Sequence, residues 1–550
     1  MLTGKLFSLA VPIGEVAFRL NLFSSVLTAL SVVFLFFTFR NLNISKDISI
    51  ASSFIFGFGQ TIWNHAGTAN VYSLSLLFVS ILFFVFSKWQ QGKEIKFVYW
   101  CSFIFGLSFG THILMVSLLP LLMLMLWETR QSLKNDFTKV IKILVLFIVP
   151  FLQYLYLSIA YANNKLVNWG KVDSFQSLIN YITQKDFAQK VSARTGDDTI
   201  VFLKETFRLF SSEFTIIFFI LAIISVFFLF RKNKSFGLSL IGIIVINVGI
   251  MFIYGNSQDI VGLFRYFFIA YTALAVIITY GLNFISEKIK IHSGKQYLFV
   301  LFIFLLVLGI FFQFKTSLAA NNRRNNYVIS DFANNMLSTV EPNSILITSG
   351  DPITGPAWYL QSIGRRKDVI IISGELIRYD WYVENEAKRN PDVINLELLN
   401  IERVGGRLAK IIQNNLPNLK IYSIANDIKV DGKMLSEDFD FIPVGVVNQI
   451  TPKATLGIDE IYSLNKLAWD NYELRGVKSG LHKDLMIDNM IKYYALVLNN
   501  TGMLFFRNGL VTESQELFQR SLDINPDPRV KQNLDRVEKF INTPHFINFQ

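Results

Sequence analysis

The stretch ILVLFIVPFLQYLYLSIA occupies residues 143–160 and contains no charged residue. A helix needs roughly 20 mostly apolar residues to cross a bilayer core about 30 Å thick. Further apolar runs occur before residue 315, at residues 20–39, 48–62, 71–87, 97–110, 113–127, 214–230, 236–254, 264–282 and 297–314. The sequence therefore predicts a polytopic α-helical membrane domain of about ten spans over residues 20–314, in which the runs between residues 48 and 127 are the shortest.

Composition agrees with a membrane protein. Apolar residues make up 52% of the chain, whereas charged residues make up 17% and give a net charge of +11. Basic loops at a membrane surface explain this excess, so we expect no nucleic-acid partner. The one cysteine, Cys101, lies within an apolar run, which excludes a disulfide framework and a cysteine metal site. We predict no cofactor and no metal.

The loops between the apolar runs alternate in charge. The turns at residues 63–70 and 111–112 contain no Lys or Arg, and residues 255–265 contain one. The intervening loops are basic, with Arg40, Lys46, Lys88, Lys93, Lys96, Arg130, Lys134, Lys139, Lys142, Arg231, Lys232, Lys234, Lys288, Lys290 and Lys295. Because cytoplasmic loops are enriched in Lys and Arg, we place the basic loops in the cytoplasm and everything after Lys315 outside. Frequent Ile, Lys, Asn and Phe favour a bacterial source, hence an inner membrane with the C-terminal domain in the periplasm or outside.

This orientation also places residues 1–19 outside, although they lack the pattern of a signal peptide. We expect them to be the end of an outer loop with a short interfacial helix, preceded in the native gene product by at least one more span. The alternative is a chain whose N-terminus lies outside without a preceding span.

Residues 315–450 have the pattern of an extracytoplasmic α/β domain. Residues 344–349 and 369–373 are apolar strand candidates, separated by a helix that begins at Asp351-Pro352 and ends near residue 363. This order predicts a β-α-β unit and a small parallel sheet. A further helix is predicted at residues 375–389, and further strands are predicted at residues 420–424 and 441–447.

Residues 451–550 are predicted to form a helical segment that resembles tetratricopeptide (TPR) repeats. Small, aromatic and helix-stopping residues have the spacing of one repeat: Gly502, Phe505, Ser514, Phe518, Ser521 and Pro526. One interpretation is a groove that binds a protein partner. The other is a helical lid on the α/β domain.

Polar and ionisable side chains near the uncharged turns are the candidates for chemistry, because such groups at membrane depth usually line a cavity. They are Arg19, Trp63, Asn70, Tyr72, His112, Arg265 and Tyr266. Arg265 and Arg19 are suited to hold the phosphate of an anionic lipid-linked substrate. Interfacial anchoring is the alternative explanation for each of these residues taken singly. The functional interpretation is favoured because all of them are predicted to face the same side of the membrane.

Deprotonating an acceptor hydroxyl requires a carboxylate. In the runs and short outer turns the weak candidates are Glu15 and Asp259, and residues 173, 186, 197 and 198 of the long outer loop are acidic but unplaced. The sequence has no nucleotide-binding loop, zinc motif or nucleophile elbow.

Several dispersed motifs resemble one family. They are GKLFSLAVPIGEVAFRLNLFSSVLTALSV from residue 4, Trp63 with VYSL at residues 71–74, GLSFGTH at residues 106–112, NSILITSGD from residue 343, AWYLQ from residue 357, RRKDVIII from residue 365 and YDWYV from residue 379. Together they resemble the protein O-mannosyltransferase-like family of multi-span, lipid-donor (GT-C type) glycosyltransferases, once filed as a domain of unknown function.

The resemblance implies an enzyme that takes a sugar, mannose in eukaryotic relatives, from a polyprenyl-phosphate carrier and transfers it to Ser or Thr hydroxyls of a protein on the outer face. It also implies a catalytic carboxylate on the first outer loop, upstream of Met1, and a departure at Asn70, where an acid is expected. The partners implied are membrane lipid, the lipid-linked donor, an acceptor protein and a protein bound by the TPR-like helices. This chain by itself is therefore expected to lack the catalytic carboxylate and to be inactive.

With the activity that the resemblance implies, the residues expected to bind the donor are Arg19, Tyr72, His112, Arg265 and Tyr266, and Trp63 and Asn70 are expected on the acceptor side. In the α/β domain the residues expected to face the acceptor are Asp351, Trp358, Tyr359, Asp380, Trp381 and Tyr382. Structural alternatives stay open for them: a helix N-cap for Asp351 and packing for the aromatic pair at 381–382. The alternative function is a transporter or flippase of lipid-linked sugars with an outer docking domain. A scaffold merely anchored by the spans is a third hypothesis.

The predicted sidedness can be checked by labelling. A tag within residues 63–70 and a tag at the C-terminus should both react with an impermeant reagent applied to intact cells, whereas a tag within residues 88–96 should react only after the membrane is opened. Reaction of the first two tags from opposite sides would contradict the orientation.

Overall fold

The computed structural model describes residues 2–163, 170–183, 185, 196–254, 257–292, 296–424, 429–430, 433–453, 455–477 and 485–542. These residues form two compact units that divide between Asn321 and Asn322, with Gly170 and Lys171 belonging to the second. The first unit is helical and the second is a mixed α/β structure.

The first unit contains fifteen described α-helices. In the described part of the unit, the 3-10 segments Ile113–Leu118, Val149–Tyr154 and Ser257–Tyr266 lie between them. The helices are α1 (Leu2–Ala10), α2 (Val16–Asn41), α3 (Lys46–Gly57), α4 (Gln60–Ala66), α5 (Tyr72–Gly92), α6 (Ile95–Ser108), α7 (Leu119–Asn135), α8 (Phe137–Ile148), α9 (Leu155–Ala162), α10 (Phe175–Ile182), α11 (Gly196–Glu213), α12 (Thr215–Lys232), α13 (Lys234–Tyr254), α14 (Phe268–His292) and α15 (Gln296–Asn321).

Among the described residues, eight helices are long and apolar enough to cross a membrane, which makes the chain a multi-pass membrane protein. They are Val16–Asn41, Tyr72–Gly92, Ile113–Asn135, Phe137–Ala162, Thr215–Lys232, Lys234–Ile253, Phe268–Lys290 and Gln296–Asn321. The expectation of ten spans is not supported. The run at residues 48–62 is broken at Phe58 into α3 and α4. Helix α6 has 14 residues, which extend about 21 Å and so fall short of the bilayer core.

Helix α14 is the central helix of this unit. In its apolar window 89% of the residues are buried, compared with 11% in α15 and in the segment Phe137–Ala162. Because lipid is as apolar as a protein core, the exposed Leu, Ile and Phe side chains of the peripheral helices need no protein partner.

Helices α6 and α8 pack closely because α6 presents small residues to α8. Ser102 donates a hydrogen bond from Oγ to the carbonyl oxygen of Ile143 at 2.8 Å. A Cβ at Gly106 would overlap the carbonyl oxygen of Phe147, and a Cβ at Gly110 would overlap the side chain of Gln153. Small residues at intervals of four allow membrane helices to approach in this way. The GLSFG part of the motif at residues 106–112 therefore has a packing role.

The second unit is built on a five-stranded sheet in the order β2-β1-β3-β7-β6. Strand β1 pairs in parallel with β2 and β3, with Ile345 opposite Ile370 and Ile421, while β3-β7 and β7-β6 are antiparallel. The strands are β1 (Ile345–Thr348), β2 (Ile370–Ser373), β3 (Ile421–Ser423), β4 (Lys429–Val430), β5 (Lys433–Met434), β6 (Phe439–Val444) and β7 (Val447–Pro452). The predicted β-α-β unit and parallel pairing are confirmed.

Eight helices complete the described part of this unit. They are α16 (Val328–Thr339), α17 (Asp351–Ser362), α18 (Asp380–Arg389), α19 (Val404–Asn415), α20 (Ile458–Asp470), α21 (Leu485–Arg507), α22 (Val511–Ile524) and α23 (Pro528–Asn542). The two faces of β1 pack into different clusters, Leu346 with Trp469 and Tyr494, and Ile345 and Ile347 with Trp381 and Ile412. Since α20 and α21 complete the core of the sheet, the predicted boundary at residue 450 does not separate two cores.

The C-terminal helices pack as the small residues predicted. The ring of Phe518 on α22 fills the space beside Gly502 on α21, where a Cβ would lie 2.9 Å from it. Ser521 donates from Oγ to the carbonyl oxygen of Ala495 at 2.7 Å. The antiparallel helix pair is therefore present, while the TPR-like character and a protein-binding groove stay predictions.

The contact between α6 and α8 gives a stability prediction. Gly106→Ala should lower the free energy of unfolding by about 1–3 kcal/mol, because the added methyl group has to displace the backbone of Phe147. Gly249→Ala is the matched control: a Cβ there meets no atom within 4 Å, and alanine favours the helix by up to about 1 kcal/mol. Thermal unfolding in detergent, followed by tryptophan fluorescence, compares the two. Equal midpoints would contradict the close packing.

Candidate functional site

Four aromatic side chains pack together near the end of α4 and the start of α5. Two of them come from these helices, and the other two lie at the 3-10 segments Ile113–Leu118 and Ser257–Tyr266. The ring centroid of Tyr72 lies 5.0 Å from that of His65 and 5.7 Å from those of His112 and Tyr266. The rings of His112 and Tyr266 are 5.9 Å apart. We call these four residues the aromatic cluster. The structure thus brings together Tyr72, His112 and Tyr266, three of the five residues predicted on the donor side.

Arg265 adjoins this cluster through both its backbone and its side chain. Its carbonyl oxygen lies 3.1 Å from Nε2 of His65, and its guanidinium group interacts with the Tyr72 side chain. No carboxylate forms an ion pair with Arg265 within the described side chains; its guanidinium carbon lies 5.8 Å from the centre of the Phe264 ring. The site therefore combines a cation with aromatic walls.

Asn247 of α13 fixes the segment that carries Arg265 and Tyr266. Its Nδ2 donates to the carbonyl oxygen of Tyr266 at 3.2 Å, and its Oδ1 accepts from the backbone N–H of Ala270 at 3.2 Å. Asn247 is fully buried. Such a pair of hydrogen bonds satisfies the backbone where the 3-10 segment turns into α14.

Both histidines of the cluster are neutral near pH 7. Burial lowers the pKa of His65 to about 4, and burial likewise lowers the pKa of His112 to about 4. Nδ1 of His112 accepts a hydrogen bond from the backbone N–H of Leu114 at 3.1 Å. The neutral ring therefore carries its proton on Nε2, which is a donor for a ligand oxygen.

Arg19, also predicted on the donor side, has a different role. Its guanidinium group donates to the carbonyl oxygens of Ser8, Ile13 and Gly14 at 2.8–3.4 Å. These bonds connect α1 to α2. They also occupy guanidinium N–H groups that would otherwise donate to a phosphate. Glu15, a weak candidate for the base, is exposed at the start of α2 and makes no capping bond with its side chain. The side chain of Asp259, the other candidate, lies outside the described residues, as does residue 186.

The two residues assigned to the acceptor side of this turn have structural contacts. Oδ1 of Asn70 accepts from the backbone N–H groups of Tyr72 and Ser73 at 2.9 and 3.1 Å, which caps α5. An amide suffices for this capping, so the departure from an acid at this position has a local explanation. Trp63 packs on the rings of Phe58 and Phe314, at 5.7 and 5.5 Å.

Glu213 is the residue of this region that the sequence reasoning missed. It is 1% exposed, and its carboxylate oxygens accept the backbone N–H groups of Thr61 at 2.8 Å and Ile62 at 3.3 Å. Burial raises the pKa of Glu213 to about 7, against the opposing effect of these hydrogen bonds. A Cβ at Gly59 would overlap the carboxylate, so the glycine makes room for it.

A ladder of polar side chains on α15 supplies further hydrogen bonds at the break between α3 and α4. Gln313, Ser317 and Asn321 occupy one face at intervals of four residues. Each donates to a carbonyl oxygen beside the break between α3 and α4: Gln313 to Ile55 at 2.9 Å, Ser317 to Phe58 at 2.7 Å and Asn321 to Gln60 at 3.0 Å. Their spacing was visible in the sequence, but the predicted span ended at residue 314 and the ladder was divided.

In the second unit, Asp351 follows Gly350 at the carboxyl end of β1 and begins α17. It is exposed and its side chain makes no capping bond. The turn before it is held by Glu375, whose Oε1 accepts from Ser349 Oγ at 2.7 Å and from the backbone N–H of Gly350 at 2.6 Å. Trp358 and Tyr359 are half-buried against the cores on α17.

Two of the three remaining acceptor-side residues are buried, and the third is held in an ion pair. Trp381 and Tyr382 are 6% and 4% exposed within the core, and the Tyr382 hydroxyl accepts the backbone N–H of Ser373 at 2.9 Å. Asp380 is paired with the buried Arg407 at 2.6 Å. Trp381 and Tyr382 therefore stabilise the fold, because a ligand cannot reach rings that the core already encloses. The Asp380 side chain is 67% exposed, so its acceptor-side assignment stays a prediction.

Comparison with known proteins agrees with the motifs. A family model described as the N-terminal domain of protein O-mannosyl-transferase TMEM260 matches residues 1–135, and one described as TMEM260-associated domain 2 matches residues 329–429. The mouse protein O-mannosyl-transferase TMEM260 is 24% identical over 403 residues, which cover 70% of this chain and 57% of the relative.

The protein of the same name from Dictyostelium discoideum is 22% identical over 508 residues, which cover 82% of this chain and 61% of the relative. The chain thus spans about three fifths of the length of these relatives. Two of its segments match domain models of protein O-mannosyl-transferase TMEM260, so the resemblance to the protein O-mannosyltransferase-like family seen in its motifs is confirmed.

Proposed function

We propose that this chain forms the donor-binding part of an integral-membrane glycosyltransferase that transfers mannose from a polyprenyl-phosphate carrier to Ser or Thr hydroxyls of a protein on the outer face. The observation that carries the proposal is the Arg265 guanidinium group beside the aromatic cluster, at the end of a broken helix in a multi-pass membrane unit. The names of the two relatives support the reaction type.

The site chemistry suits a lipid-linked sugar phosphate. The planar guanidinium group of Arg265 offers paired donors to phosphate oxygens. Tyr72 and Tyr266 present an aromatic surface with a polar end to the sugar, and His112 offers its Nε2–H. Since both cluster histidines are neutral, Arg265 carries the positive charge that balances the phosphate.

We assign acceptor recognition to the second unit, at the exposed turn from Gly350 to Asp351. Glu213 is excluded as the base that deprotonates the acceptor, because both of its oxygens already accept backbone N–H groups.

The reaction is tested with the full-length protein reconstituted in vesicles, a labelled polyprenyl-phosphate mannose and a Ser/Thr-rich acceptor peptide. Label on the peptide, released by a mannosidase, supports the glycosyltransferase. Movement of intact donor across the bilayer without new glycosidic bonds would replace this proposal with lipid transport.

Arg265→Ala should weaken binding of the donor. A hydrogen-bonded charge contributes about 2 kcal/mol, which corresponds to a rise in Kd of about 30-fold. Arg265→Lys should recover part of the affinity because it keeps the charge but loses the planar pair of donors.

The matched control is Arg19→Ala, which removes a guanidinium group that is committed to backbone carbonyl oxygens. It should lower thermal stability and leave the Kd within about threefold of the unaltered protein. The Kd of the lipid-linked donor is measured for both variants by titration in nanodiscs. Equal Kd values for Arg265→Ala and the unaltered protein would remove Arg265 from the site.

A further inference from the structure

We infer that Glu213 is the positioning residue of the donor site: its buried carboxyl group fixes α4 at the helix break and, through His65, the segment that carries Arg265. This inference rests on the proposed function for the identity of the ligand. The contacts that carry it are independent of any ligand.

The first step is the connection between Glu213 and α4. Helix α4 has seven residues, too few to be stable by itself. Its first N–H groups lack partners within the helix, and Gly59, which precedes it, has no side chain to supply a cap. Glu213 supplies the acceptors from α11, at Thr61 and Ile62.

The second step is the connection between α4 and the donor site. Its last turn carries His65, which is fully buried and lies within hydrogen-bonding distance of the Arg265 carbonyl oxygen. The carbonyl oxygen of His65 in turn accepts from Ser73 Oγ at 2.8 Å, at the start of α5. A shift of α4 therefore moves the ring of His65 and the backbone of Arg265 together.

The third step is that Glu213 differs from the other groups at the break. Gln313, Ser317 and Asn321 are uncharged donors to carbonyl oxygens, whereas Glu213 is the ionisable acceptor of N–H groups among the described residues there. Tyr271 on α14 also faces the carboxyl group, and Arg208 and Glu205 on α11 act on Tyr271. The partners on α4 and α15 are uncharged.

Protonation gives a readout that a purely structural contact lacks. Burial raises the pKa of Glu213 to about 7, whereas the same group reached by water has its ordinary value of about 4.3. The buried arrangement therefore binds the proton more tightly, and by linkage a fall in pH from 8 to 5 favours it by roughly 50-fold or more. Glutamine imitates the protonated form, since it keeps one oxygen acceptor and has no charge.

The test is a nitroxide label on α4. Asn64→Cys in a Cys101→Ala background carries the label, and spectra are recorded from pH 5 to 8 in nanodiscs. In the otherwise unaltered chain the mobile fraction should rise as the pH passes about 7. Glu213→Gln should keep the label immobile throughout, and Glu213→Ala should leave it mobile throughout, because two buried N–H groups lose their acceptor.

Glu205→Gln is the matched control. It makes the same change on the same helix, but its partner is Arg208 at 2.6 Å, so the pH curve of the label should persist. A pH curve that persists in Glu213→Gln, or a label in Glu213→Ala as immobile as that of the unaltered chain at pH 5, would overturn the inference. If Glu213→Ala fails to fold, the glutamine variant and the pH curve still decide.

Affinity for polyprenyl phosphate is measured on the same variants. Glu213→Ala should raise the Kd about 10- to 100-fold, as misplacing a binding group does, and Glu213→Gln should restore it. If the label spectra follow the expected pattern but polyprenyl phosphate does not bind, the proposed function is contradicted. The positioning role of Glu213 is then still supported.

Discussion

Backbone hydrogen bonding at the break between α3 and α4 is the constraint on which the membrane unit depends. An N–H or C=O group left without a partner in the hydrocarbon region costs several kcal/mol, so irregular backbone persists there only where protein satisfies it. Here side chains from two other helices do so. Glu213 accepts the N–H groups of α4, and Gln313, Ser317 and Asn321 donate to carbonyl oxygens beside the break. The break exists because these distant residues compensate for it.

The break in turn makes the site possible. An unbroken helix would carry Trp63 and His65 onward along one axis, whereas the short α4 turns His65 toward Tyr72 and the Arg265 carbonyl oxygen. Asn247 performs a similar task from α13 at the 3-10 segment that ends with Tyr266. Buried polar groups of this kind are rigid because each has its partners. The cluster is thereby held in place by residues outside it, Asn247 and Glu213.

Several of the family-like motifs owe their residues to packing. In GLSFGTH the glycines admit α8 and the 3-10 segment that follows it, and the histidine alone contributes to the cluster. In YDWYV the rings of Trp381 and Tyr382 lie in the core, and Asp380 balances the charge of Arg407. Recurrence of a motif is thus a poor guide to chemistry when helices approach closely or a buried charge needs a partner. In SGD, by contrast, the aspartate is exposed at the end of a strand and stays available to a ligand.

Much of the architecture could be predicted from the sequence, because hydrophobic length and periodicity are local properties. Most of the spans, the β-α-β unit and the helix pair at Gly502 and Phe518 follow from such patterns. The cluster of Tyr72, His112 and Tyr266 was anticipated from their positions beside uncharged turns. Local patterns do not, however, reveal which distant groups meet. The tertiary structure decided three features: the hydrogen bonds of Arg19, the burial of Trp381 and Tyr382, and the contact between the Glu213 carboxylate and α4. Each depends on a partner that only folding brings within hydrogen-bonding or packing distance.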